Sequence, residues 1–152
     1  MKKLFALLAA AIMLFLLPSA GNLSDKTKYI SDGTYYFYVE GEQYAENAIT
    51  VRNGADSIIR CRMYYAESVR KELHSVRGES MRFNGGEAEV QKLVDELNLD
   101  IRFTSRKPVA CIYGYSASLG EGIVMQGKRI NCEIAVSGSV ITVGYPVILG
   151  DY

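Results

Sequence analysis

Tryptophan is absent from the chain, and histidine occurs once, at His74. One histidine and three cysteines, each cysteine on an apolar alternation, do not build a zinc centre of the usual four-ligand kind. His74 also falls on the polar side of a helical stripe, away from the expected core, and reads as a solvated surface imidazole rather than a general base. Ser116, in Gly114-Tyr115-Ser116-Ala117-Ser118, lacks the closing glycine of a nucleophile elbow and reads as a turn residue. Neither sign of charge predominates, since 17 basic residues balance 17 acidic ones. The broad cationic field of a nucleic-acid binder is therefore missing, and any basic site must be local. No internal repeat and no long linker divides the chain. No reaction and no cofactor is implied.

What is present at the start is a targeting pattern. Lys2 and Lys3 precede an unbroken apolar run, Leu4 to Leu17, which Pro18 breaks before Ser19, Ala20 and Gly21. This predicts a secretory signal peptide over residues 1–21, cleaved after Gly21 or, alternatively, after Ala20. The run is shorter than the roughly 20 residues that span a bilayer, although an uncleaved anchor is the other reading. Loss of Lys2 and Lys3 from the balanced charges leaves a mature net charge of −2. The expected location is outside the cell or at its envelope.

Of the 152 residues, 49% are hydrophobic and 22% charged, enough for one domain with a sizeable core. Residues 22–33 are polar and turn-rich, expected as a flexible lead-in to a single domain over 34–152. Thr34 to Val39 is aromatic and β-branched, a strand. Ala48 to Arg52 and Ser57 to Arg62 flank Asn53-Gly54, a hairpin signal. Tyr65, Val69, Leu73 and Val76 share one helical stripe, with Gly78 as its stop. Glu79 to Phe83 is a short strand, and Val90, Leu93, Val94 and Leu97 form the stripe of a second helix. Leu99, Ile101 and Phe103 line one strand face. The densest alternation, Pro108 to Tyr152, is a meander with turns at Gln126-Gly127-Lys128 and Ser137-Gly138-Ser139. Strands and helices segregate, which predicts an α+β fold: a mainly antiparallel sheet with two helices packed on one face.

Cys61, Cys111 and Cys132 each alternate with apolar neighbours and read as small buried hydrophobes. A Cys111 to Cys132 bridge between neighbouring strands is the alternative. Tyr113-Gly114-Tyr115-Ser116, Gly127-Lys128-Arg129-Ile130-Asn131 with Ala135, and Val143-Gly144-Tyr145-Pro146-Val147-Ile148 together resemble the closing pattern of the exported YwmB-like proteins of Gram-positive bacteria. The likeness covers Phe83 to Tyr152. It implies a curved sheet backed by helices, similar in fold to the TATA-binding protein, and brings no biochemical role with it. Such a fold does not imply DNA binding, and no nucleic-acid partner is expected of an exported, slightly acidic protein.

Three binding or catalytic patterns remain. Arg60 and Arg62 share one strand face, Arg82 lies on the polar side of another, and Arg102 and Arg106 share the polar side of a third. If these strands are neighbours, the arginines form a patch for phosphate or carboxylate. Accessible anions are cell-wall polymers and lipid headgroups. Glu67, Glu72 and Glu79 are the acidic residues that could neutralise such a patch. Tyr36 and Tyr38, two of 11 tyrosines, share one face of the first strand and suit a glycan or an envelope protein. Glu121 and Glu133 could in principle serve a cell-wall hydrolase as paired carboxylates, a pattern of little specificity in a chain with 17 acidic residues. The expectation is a non-enzymatic exported protein that binds an anionic envelope component or envelope protein. The alternatives are a carboxylate hydrolase and an interaction module presenting Tyr36 and Tyr38.

Overall fold

In the structure, a computed structural model, residues 22–150 are described, and the predicted leader over 1–21 lies outside them. Residues 22–33 differ from the expected flexible lead-in. They carry a short helix, α1 (Leu23–Lys26), capped by the Asn22 side chain, which accepts the Asp25 N–H. Leu23 is fully buried in the core, so this segment is held by apolar burial.

The aromatic run forms β1 (Thr34–Val39), and its alternation puts Tyr35, Phe37 and Val39 into the core. β2 (Ala48–Asn53) and β3 (Asp56–Arg62) make the expected hairpin, with Gly54 at φ +66 in its two-residue loop. A 3₁₀ turn (Met63–Tyr65) leads to α2 (Ala66–Glu72), which buries Val69 and is shorter than the stripe predicts. Leu73 is already extended and Ser75 turns at φ +50. Val76 and Gly78, expected in and after the helix, belong to a nine-residue strand, β4 (Val76–Asn84).

The second helix matches its prediction as α3 (Glu87–Glu96); the Glu89 carboxylate accepts the Gly86 N–H at 2.8 Å, and Asn98 ends the turn at φ +45. Then come β5 (Asp100–Ser105), β6 (Ala110–Tyr115), a small hairpin of β7 (Ile123–Met125) and β8 (Lys128–Ile130), β9 (Cys132–Ser137) and β10 (Val140–Tyr145). The turns at Gln126-Gly127 and Gly138 fall where predicted. The face expected for Leu99, Ile101 and Phe103 does not form. The pairing register shifts between Ile101 and Phe103, leaving Leu99 in the core, Ile101 exposed and Phe103 stacked on Tyr113.

Eight strands form one antiparallel sheet in the order β2-β3-β1-β4-β10-β9-β6-β5, an α+β architecture. One face, the core face, carries Ile59, Tyr35, Phe37, Met81, Val143 and Ile134, which cluster with Val69 and Leu73 of the α2 region and Leu93 and Leu97 of α3. The opposite, outer face carries the alternate residues. Cys111 lies opposite Ala135 and Cys132 opposite Gly114, so the two cysteines project from opposite faces. All three cysteines are buried and none is in a disulfide, so the Cys111 to Cys132 bridge does not exist.

After β10 the chain folds back over the outer face. The Ile148 N–H donates to the buried Glu133 carboxylate at 2.9 Å. Glycine permits the approach: a Cβ at Gly144 would lie 2.3 Å from the Ile148 nitrogen, and one at Gly78 would lie 2.6 Å from the Leu149 side chain. Gly78 is thus a point of close packing in a strand, not a helix stop.

Candidate functional site

Cross-strand register decides which of the predicted residues meet. β3 and β4 both pair with β1, one on each side. Thr34 stands opposite Arg62 on one side and Arg82 on the other. In the next row Tyr36 stands between Arg60 and Ser80, and in the third Tyr38 stands between Ile58 and Gly78. The three arginines and both tyrosines therefore occupy one patch of the outer face. At about 4.8 Å per strand, the Arg62 and Arg82 backbones are about 10 Å apart, within reach of one ligand for side chains this long.

All three arginines are exposed. Among the described residues none of them forms an ion pair. The carboxylates expected to neutralise them are engaged elsewhere. Glu67 pairs with Lys28 and Lys71, each at 3.2 Å, and these two lysines hold its carboxyl below the usual range. Glu72 accepts the Glu46 N–H at 2.9 Å. Glu79 is buried on the core face, where it accepts from the Tyr35 hydroxyl at 2.5 Å and the Arg70 guanidinium at 3.1 Å. Asp32 borders a depression it shares with Arg82 and makes no ion pair with it.

Three depressions adjoin these arginines. One of about 340 Å³ is bounded by Tyr36, Tyr38, Val51, Ile58, Arg60 and Arg82, with Gly150 of the returning tail at its rim. A second, about 400 Å³, lies between Arg60, Arg62, Ile49 and Thr34. The third, about 290 Å³, holds Arg82, Thr34 and Asp32. Tyr38 reaches across the first toward the Ser80 hydroxyl, 3.4 Å away.

Arg102 and Arg106 do not join this patch. Arg102 lies on β5, four strands from β4, about 19 Å along the sheet. It is paired with Asp100 at 2.9 Å, and Arg106 is exposed in the β5–β6 connection. Sequence separation says nothing of sheet order, and only three of the five arginines come together, on the two strands that flank β1.

The other candidate groups are dispersed. His74 is exposed, with its backbone N–H on the Gln43 side chain. The Ser116 hydroxyl donates to the Leu97 carbonyl, fixing a loop that the buried Asn131 also holds through Ser116 and Gly120. Glu121 is exposed, whereas Glu133 is buried beneath the tail, opposite Tyr113, whose hydroxyl is held protonated by burial and then by the Glu133 charge. Among the described residues no cluster of three or more histidine, cysteine or acidic side chains could hold a metal ion, and no helix is long and apolar enough to cross a membrane.

The apolar side of the patch was missed by sequence reasoning: Ile49 lies opposite Arg60, and Val51 opposite Ile58. A signal for it existed. A two-residue turn at Gly54-Ala55 fixes the hairpin register, and that register alone puts Ile49 beside Arg60. No family model, curated protein or solved structure matches this chain.

Proposed function

We propose that this is a non-enzymatic binding protein of the cell envelope that takes an anionic ligand on its outer face. Arg60, Arg62 and Arg82 are the anion-binding groups, and Tyr36 and Tyr38 supply the surface between and beside them. One observation carries this function: Arg60, Arg62 and Arg82 share a single patch without an ion pair among the described residues, while Glu67 and Glu79 serve other partners. Leaving three like charges together costs a protein stability, and an anion offsets that cost. In this proposal α2 and α3 lie together on the core face, as the shared apolar cluster supports, so that the part of the outer face beside the returning tail, around Arg60, Arg62 and Arg82, is left for the ligand. Export through the N-terminal segment and kinship with the YwmB-like proteins belong to the same proposal.

The test is sedimentation of the purified protein with isolated cell walls, with and without their anionic polymers, across a salt series. Binding should weaken steeply with salt, and alanine at Arg60, Arg62 and Arg82 together should abolish it. Each single replacement should lower the magnitude of the slope of log K against log salt by about one. Alanine at Arg102 and Arg106 should change little, because these residues lie off the patch. Absence of binding at low salt, or equal losses from both sets of variants, would refute the assignment.

A further inference from the structure

Anion binding alone leaves the apolar half of the patch without a purpose. Ile49 and Val51 are 56% and 49% exposed on the outer face of the edge strand. Val51, Ile58 and Tyr38 are successive cross-strand partners, an apolar row across β2, β3 and β1. The adjacent row is Ile49, Arg60, Tyr36 and Ser80, and Arg82 stands in the row beyond. The 340 Å³ depression spans these rows, with Val51, Ile58 and Tyr38 along one side and Arg60 and Arg82 along the other.

A hydrophilic polyanion would satisfy the arginines and leave the apolar row in water. A neutral apolar ligand would cover that row and leave the arginines without a counter-charge. One molecule with both characters satisfies both. We infer that the ligand of this face is an anionic amphiphile, its phosphate or carboxylate head on Arg60 and Arg82 and its apolar chain over Val51, Ile58 and Tyr38, an assignment that rests on the anion-binding function proposed above. Charge complementarity fixes the head, and the strand register fixes the direction of the chain, toward the β2 edge.

Calorimetric titration of the full chain with dodecyl phosphate, kept below its micellar concentration, tests this against inorganic phosphate and dodecyl maltoside. Dodecyl phosphate should bind at least about tenfold more tightly than inorganic phosphate, since burying even two methylenes is worth that factor, and more tightly than dodecyl maltoside, which carries the same chain without a charge. Val51→Ser should weaken dodecyl phosphate about three- to tenfold and leave inorganic phosphate unchanged. The double variant Arg60→Ala with Arg82→Ala should abolish binding of both anions. All three side chains are exposed, so thermal unfolding should stay close to that of the parent, which separates lost binding from lost folding.

Equal binding of both anions, each lost with the arginines, would overturn the amphiphile and leave the anion site standing. Binding of dodecyl phosphate unaffected by the arginines would overturn both. An arginine-dependent association with phosphatidylglycerol vesicles, without binding of monomeric dodecyl phosphate, would replace the single-molecule site by a bilayer surface.

Discussion

Cys132 and Tyr35 show how burial on the core face becomes a measurable property of single residues. Cys132 is fully buried beside Glu133 in sequence, and burial, then the Glu133 charge, push its thiol from 9.0 up to about 12. Tyr35 donates its hydroxyl to Glu79, and burial together with that carboxylate holds it protonated well above 10.0. Both native-state values are raised, so the native state retains protons that the unfolded chain releases. Stability is therefore fully present below pH 9.0 and falls as the pH rises through the native values, by about 1.4 kcal/mol per pH unit for each such group. Urea unfolding of Cys132→Ala should be shallower in pH by one group's contribution between pH 9 and 12 than that of the parent. An unchanged slope would show that this thiol is not held protonated by the fold.

At the scale of elements, the hairpin, α3 and the glycine turns were legible because local chemistry dictates them: Gly54, Gly127 and Gly138 all adopt positive φ at turns. The short α2, long β4 and ordered α1 were not. Leu23 is buried through contacts distant in sequence, and Gly78 resembles a helix stop until the returning tail is seen above it. The site divides in the same way. Alternation put Arg60 with Arg62 and Tyr36 with Tyr38, but only sheet order brings Arg82 to them and leaves Arg102 and Arg106 at the far end. The tail itself gives a prediction. Gly144→Ala places a methyl group where the Ile148 backbone lies, so the tail must move off the sheet and surrender its hydrogen bond to Glu133. Overpacking and the lost donor together should cost about 2–5 kcal/mol in chemical denaturation, with faster hydrogen exchange at Ile148. A substitution that leaves both unchanged would mean that the tail does not hold this position.

For the whole molecule, the two faces of one sheet divide its charges. On the core face the buried Glu79 carboxylate is neutralised by the half-buried Arg70, whereas on the outer face Arg60, Arg62 and Arg82 face solvent without an ion pair among the described residues. Buried pairs are sensitive to loss of one partner, while exposed unpaired charges contribute little to folding and repel one another. Removing the three arginines should therefore leave the unfolding free energy within about 0.5 kcal/mol of the parent, or raise it slightly. Ligand linkage makes the opposite demand of the parent protein. An anion that binds only the native patch raises stability by RT ln(1 + [L]/Kd), about 2.7 kcal/mol at one hundred times Kd. Thermal unfolding in phosphate and in chloride at matched ionic strength should then separate the proteins: phosphate raises the midpoint of the parent more than that of the triple alanine variant, while the two unfold together in chloride. Equal responses to phosphate would assign the effect to general salt action and leave the outer arginines as solvated charge, because a non-specific anion effect does not distinguish a protein that has the patch from one that lacks it.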